Sequence, residues 1–302
     1  MQFLYQGTDI SADISIHSVA YNDMSNAKAD RLEIVFNDVD REWTTWTPQV
    51  GDECRLVEGT LDTGVLFINH TRETNGKFFL GAVSIPPDSK TGKERAFEDV
   101  RLLSIASELA AKHGFALSTH GVGNPHYERL RQSGESDFSF LDQLCRQEGY
   151  AFKAYDKKAI LYDANQIENR APVDALELTR YDSYSISYSD RWHCGACEVM
   201  THDGAARFDA PDAKNERVLK YRDVMASGIA EGLRFARGLL RDHNSKASRA
   251  IIPIDLRTDL TAGSVIALTG EGVSAGNYFI FRAEHNFTTL QSRLYARKPL
   301  SY

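Results

Sequence analysis

The stretch Asp30-Arg31-Leu32-Glu33-Ile34-Val35-Phe36 places Leu32, Ile34 and Phe36 on one side of an extended chain. A period of two marks a strand with one buried face. Toward the N-terminus, Ile10, Ala12, Ile14 and Ile16 alternate with Ser11, Asp13 and Ser15. Gly51-Asp52 opens a run in which Cys54 and Leu56 alternate with Glu53 and Arg55. Gly64-Val65-Leu66-Phe67-Ile68 and Lys77-Phe78-Phe79-Leu80-Gly81-Ala82-Val83 lie on either side of Asn75-Gly76, a strong tight-turn signal. Five short strands joined by turns predict a small antiparallel barrel or sandwich over residues 1–90.

The breaker-rich stretch from Pro86 to Gly92 ends that unit. The period then changes. Leu102, Ile105, Ala106, Leu109 and His113 share a helical face, and Gly114 is placed to end the helix. A second helix starts after Ser136 or Asp137, carries Phe138, Leu141, Leu144 and Cys145, and stops at Gly149. Runs 150–155 and 159–162 around Asp156-Lys157-Lys158 read as a hairpin. Residues 91–170 are therefore expected to be a small α/β unit. From Ala171 to the C-terminus the alternation returns as a second β-barrel. An inserted helix over about 225–243 has Ile229, Leu233, Ala236 and Leu240 as its apolar face. The closing strands are 264–268, 278–282 and 291–296. The fold class expected is mainly β (α+β), two small antiparallel barrels around a small α/β domain. Gly51-Asp52 and Ala262-Gly263-Ser264 precede strands at similar places, which hints that the two barrels are related.

Length and composition agree. The chain has 302 residues, about two domains' worth. Hydrophobic residues make up 42% and charged residues 25%, which excludes disordered and collagen-like classes. The net charge is −7, so gripping duplex nucleic acid is not the expected main task. No apolar run approaches the roughly 18–20 residues of a membrane helix. The start from Met1 to Gln6 lacks the pattern of an export leader. The cysteines Cys54, Cys145, Cys194 and Cys197 read as reduced cytosolic thiols.

Several residues carry candidate chemistry. His193, Cys194 and Cys197, with His202 downstream, are the one cluster that suits a tetrahedral zinc shell. No second knuckle accompanies them, and two partly buried thiols near a strand end account for them as well. His120 and His126 flank Gly121-Val122-Gly123-Asn124-Pro125, read as a loop without phosphate-binding context. The carboxylates Asp137 and Asp142, Asp182 and Asp190, and Asp255 and Asp259 would serve a glycan hydrolase only if two faced each other across a cleft. No hydrolase elbow, zinc-protease helix or P-loop occurs. The window 214–249 holds nine basic and four acidic residues, locally +5. Within it Arg234, Arg237 and Arg241 form one helical face, read as a solvated face, as an interface for an acidic partner or as the lining of a channel. Trp43 and Trp46 either cap the first barrel or anchor an interface.

The order of segments resembles the baseplate hub protein of contractile phage tails, the late-control D family, related to the hub part of contractile injection and type VI secretion spikes. The residues that carry the resemblance are Ala29-Asp30-Arg31-Leu32-Glu33-Ile34, Trp46-Thr47-Pro48 followed by Gly51-Asp52, and Thr63-Gly64-Val65-Leu66-Phe67-Ile68. Further along come Glu135-Ser136-Asp137-Phe138-Ser139-Phe140-Leu141 with Gln147-Glu148-Gly149-Tyr150, and Gly276-Asn277-Tyr278-Phe279-Ile280 with Ala283-Glu284-His285. The resemblance implies a structural protein with no catalytic residue and no cofactor. It implies a homotrimer whose six barrels form a pseudo-sixfold ring between a sixfold tail tube and a threefold spike. The implied partners are the tube protein, the central spike protein, other baseplate proteins and the tape measure, with DNA only as passing cargo and no membrane insertion. The chain would be made in the bacterial cytoplasm and assembled into a virion or tail-like particle. It is short for the family and shows no lytic or lysin-motif extension, which leaves spike and hydrolase functions to other chains. Two other readings stay open, a cell-wall glycan hydrolase of a phage tail tip and a zinc-dependent binding module.

Overall fold

The computed structural model describes residues 1–26, 29–179, 182–270 and 274–302, apart from two side chains in the strand Val218–Ala226. The fold is mainly β, with 49% of residues in strands and 19% in helices. Five α-helices occur among the described residues: α1 (Glu42–Trp46), α2 (Leu102–Lys112), α3 (Asp137–Gln147), α4 (Ala164–Glu168) and α5 (Ile229–Asn244).

The alternation at 30–36 becomes the strand Arg31–Asn37, with Leu32, Ile34 and Phe36 buried. It pairs antiparallel with Ser15–Met24 on one side and Lys77–Val83 on the other. Asn75 and Gly76 both adopt positive φ in the turn between Leu66–Thr74 and Lys77–Val83. The apolar faces of these strands enclose Trp43 of α1. Its ring stacks on Phe36 at 4.2 Å and on Phe78 at 5.5 Å.

One 14-stranded sheet runs through both β regions. The join is an antiparallel pairing of Ser15–Met24 with Gly276–Asn286, from Met24 opposite Arg282 to Ala20 opposite Asn286. From there the sheet continues to Ser248–Asp255 and ends at Ser185–Tyr188. In the other direction it ends at Thr8–Asp9. Two separate aromatic and aliphatic cores lie on it, one around Trp43 and one around Tyr278, Leu268 and Ile252.

The middle unit holds more strand than its sequence suggests. Gly92–Arg101 and His126–Ser136 form a long two-stranded ribbon. Its outward positions carry Glu94, Glu98, Arg129 and Arg131, so it lacks the apolar row that makes a strand legible. The expected loop over residues 121–125 is present, but its two histidines sit on strand ends. His120 ends Ala116–His120, which runs parallel to Lys158–Asp163, and His126 opens the ribbon's second strand. Ser136 caps α3 as expected, accepting a hydrogen bond from the Ser139 backbone.

The inserted helix spans Ile229–Asn244, not 225–243. The strand Val218–Ala226 pairs in parallel with Ala196–Thr201 as far as Ala226, so residue 225 belongs to a sheet. The expected apolar face is also corrected. Ile229 and Leu233 are exposed, while Phe235, Ala236, Leu240 and Arg241 are buried. The reason is that α5 is clamped on two sides. Its Gly232 approaches Thr201 and Ala206 of the small sheet so closely that an added Cβ would lie 2.5 Å and 2.7 Å from them. Its Gly238 sits against the end of α3, where a Cβ would be 2.2 Å from the Gln147 carbonyl oxygen. The helix and its sheet therefore share one core with the middle unit, including Leu141, Leu144, Val199 and Phe235.

Candidate assembly surfaces and the charged junction

The arginine row of α5 divides into three different environments. Arg234 donates to Glu148, with Nε 2.9 Å from Oε2, and the buried Tyr127 hydroxyl donates to the same carboxylate at 2.9 Å. Glu148 lies at the C-cap of α3, so this bridge ties α5 to α3. Burial raises the Glu148 carboxyl above its usual range, and Arg234 opposes that rise. Arg241 is buried and donates to Glu168 of α4 at 2.5 Å. Arg297, from the last strand, donates to the same carboxylate. Burial alone would push Glu168 up, but Arg297 and Arg241 hold it below the ordinary glutamate range. Arg241 also donates to the backbone carbonyls of Leu300 and Tyr302. Arg237 alone is exposed without an ion-pair partner among the described residues, and it lines a cavity of about 130 Å³ with Tyr150, Asp163 and Asn165. A single solvated arginine face is thus corrected to one unpaired outward cation, one half-exposed cation paired with Glu148 and one buried cation paired with Glu168, all three lining that cavity.

The tryptophans also separate. Trp43 is core, 1% exposed, and Trp46 packs edge-on against it at 5.2 Å while remaining 40% exposed. Val39 and Val50 are exposed in the same stretch of chain.

The zinc candidates do not converge. His193, Cys194 and Cys197 are buried at the start of the strand Ala196–Thr201, whereas His202 is exposed beyond its other end. Five residues of extended chain separate Cys197 from His202, about 16 Å at roughly 3.3 Å each. Burial pushes the Cys197 thiol up to about 12. Cys194 is held through its backbone, with Asn244 bonding both its N–H and its carbonyl. No group of three His, Cys, Asp or Glu side chains that would hold a metal occurs among the described residues.

Five of the six carboxylates are individually engaged. Asp137 accepts from Arg95, Lys112 and His113, which hold it low against the upward push of burial. Asp142, on the same helix, pairs with Arg146 at 2.8 Å, and burial pushes it up to about 6. Asp182 caps Thr179, Asp190 pairs with Arg217, and Asp259 pairs with Arg257. Asp255 lies at the end of its strand, opposite Gln291. His126 pairs with Asp99 at the surface, and His120 lines a cavity beside Lys153.

Glu148, Glu168, Arg297 and Lys153 went unread in the sequence as site residues. Glu148 had a signal, since an acid before Gly149 at a helix end is an unusual cap. Glu168 had none, because its partners come from 73 and 129 residues away.

A model of the family described as phage tail baseplate hub (GPD) matches residues 88–291. No curated relative matches the chain. Among solved structures, the chain is similar to a tail protein from Neisseria meningitidis MC58. That pair has 15% identity and a TM-score of 0.76, covering 98% of this chain and 95% of that one. It is also similar to a 43 kDa tail protein of prophage MuSo2 from Shewanella oneidensis, with 10% identity, a TM-score of 0.75, and 99% and 98% covered. A third likeness is to an E. coli component of the type VI secretion system, described as structurally similar to the T4 bacteriophage tail proteins gp27 and gp5. There the identity is 12% and the TM-score 0.64, with 99% of this chain and 77% of that one covered. At these identities the structures speak for a shared fold, and the family match extends over more than half of the chain. The chain belongs to the phage tail baseplate hub family.

Proposed function

We propose that this protein is the structural hub of a contractile tail, acting as a trimer whose six similar β units adapt a sixfold tube to a threefold spike. The observation that supports it is the single sheet through both β regions. One chain already contains a β-unit-to-β-unit join, between Ser15–Met24 and Gly276–Asn286. The sheet ends at Ser185–Tyr188 and at Thr8–Asp9 leave backbone donors and acceptors available for a neighbour. Unlike ends meeting head to tail form a heterologous contact, which closes into a ring when the rotation allows. Residues 1–90 and 171–302 would supply the β units, and 91–170 the small α/β unit between them. The partners are the tube protein, the central spike, other baseplate proteins and the tape measure. DNA passes without being held, which suits a chain of net charge −7. The protein is made in the bacterial cytoplasm and works in the assembled particle. Among the described residues no helix is long and apolar enough to cross a membrane.

Mass measurement of the purified chain, alone and mixed with its tube and spike proteins, tests this. Three copies per assembly are expected. A chain that stays monomeric in every mixture sinks the proposal.

A further inference from the structure

Away from α5, three parts of the chain meet at one buried charge cluster. Asp23 lies near the end of the strand Ser15–Met24, Asp30 directly precedes Arg31–Asn37, and Lys153 is on Tyr150–Tyr155 of the middle unit. Their side chains are 6%, 0% and 16% exposed. Lys153 Nζ pairs with Asp23 Oδ1 and lies 3.4 Å from Asp30 Oδ2. Asp23 Oδ2 accepts from the Ala262 N–H at 2.7 Å, which brings in the second β region. Asp30 Oδ1 accepts from the Met24 N–H at 2.8 Å, and the Asp30 N–H donates to Ser84 Oγ. The middle unit is fastened again where the Tyr162 hydroxyl donates to the Ser25 carbonyl.

Two carboxylates here share one ammonium. The other ionisable groups around them do not make up the difference. Tyr21, from the strand carrying Asp23, is a phenol that burial keeps protonated, and Tyr155 and Tyr162 from the middle unit are likewise raised. On Gly276–Asn286, Arg282 is committed to Glu284 and Asn22, and burial holds His285 below its usual range and so neutral. Arg31 pairs outward with Glu33 at 2.6 Å. His120 and Arg170 line the cavity beside Lys153 and pair with neither carboxylate. Among the described residues no second cation pairs with Asp23 or Asp30. An unbalanced charge out of water is costly, and a proton is the simplest way to remove it.

We propose that Asp23, Asp30 and Lys153 form a proton-operated latch, which holds the middle unit to both β regions when Asp30 is protonated and slackens when Asp30 is ionised. Only the protonated state has equal numbers of positive and negative charges at the junction. The direction of titration agrees. Burial pushes Asp30 up to about 7, Lys153 pulls it down and Asp23 pushes it up again. Burial works against the Lys153 charge, yet Asp23 and Asp30 hold it above the usual lysine range. A carboxyl raised on folding binds more protons in the folded chain. Its stabilising share is therefore lost as pH climbs from its unfolded value near 4 to about 7, and is constant above that. The latch is independent of the hub reading.

The test is thermal unfolding of the whole chain and of Asp30→Asn between about pH 5 and pH 8. Asparagine keeps an oxygen for the Met24 N–H and cannot ionise. Groups away from the junction titrate alike in the two proteins, so their Tm difference isolates Asp30 and the two side chains coupled to it. The variant should be the more stable at about pH 8, and its lead should exceed that at about pH 5 by about 5 °C. A lead that does not grow with pH, or a variant less stable at about pH 8, overturns the latch. If the variant fails to fold, carboxyl NMR of Asp30 in the unaltered chain decides. A midpoint above about pH 6 supports the latch and one at or below about pH 6 overturns it.

Discussion

The first β region and the α5 junction hold together by opposite means. Around Trp43 the contacts are aromatic and aliphatic: Phe3, Phe36 and Phe78 surround one indole, with no ion pair among them. Around α5 two glycines bring backbones close, and two buried carboxylates, Glu148 and Glu168, bind three arginines. The aromatic core gains stability from the area removed from water and needs only the right volume. The charged junction gains little net energy from its pairs, because desolvation opposes the attraction. What it gains is position, since each bond is satisfied in one docking of α5 against α3, α4 and the last strand.

That contrast is open to direct attack. The largest expected effect is at Trp43→Ala, which should cost about 3–5 kcal/mol in denaturant unfolding. A loss under about 1 kcal/mol would mean that the indole is not the centre of that core. Next comes Glu168→Gln, which leaves Arg241 and Arg297 buried without their counter-charge and should cost about 3 kcal/mol at neutral pH. The pH dependence sharpens it. Glu168 is held low in the folded chain, so its contribution is present above the unfolded glutamate value and is lost as pH falls toward its folded one. The penalty of the variant should therefore shrink on acidification, and a penalty that is flat with pH would contradict the charge argument. The smallest effect is at Trp46→Ala, expected within about 0.5 kcal/mol because that ring is 40% exposed. If the chain forms the proposed trimer, a measurable loss of it in the same variant would move Trp46 from surface to interface.

The two regions also differ in how well they can be read from sequence. Alternation at 30–36 and the Asn75-Gly76 turn led directly to observed strands and an observed turn. Ser136 and Gly149 bracketed α3 as expected. In α5 the same method misplaced the buried face, because Ile229 and Leu233 look like core and Arg241 does not. Hydrophobic periodicity assumes that every inward position is apolar, and at this junction a buried arginine network lies beside the apolar core of Phe235, Ala236 and Leu240. The ribbon Gly92–Arg101 was missed for the complementary reason, as its alternating residues are charged on one side and only half-buried on the other.

The mainly β class, the turns, most helix limits and the ordered motif set that resembles a baseplate hub are all legible in the chain itself. These rest on neighbours a few residues apart, where backbone sterics and side-chain period act. That the two β regions share one sheet, that α5 docks on the middle unit, and which acid answers which arginine emerge only once distant segments are folded together. Asp23 and Lys153 are 130 residues apart, and Glu168 and Arg297 are 129 apart. Whether such a charge is solvated, paired or left to hold a proton depends on the partner the fold brings to it.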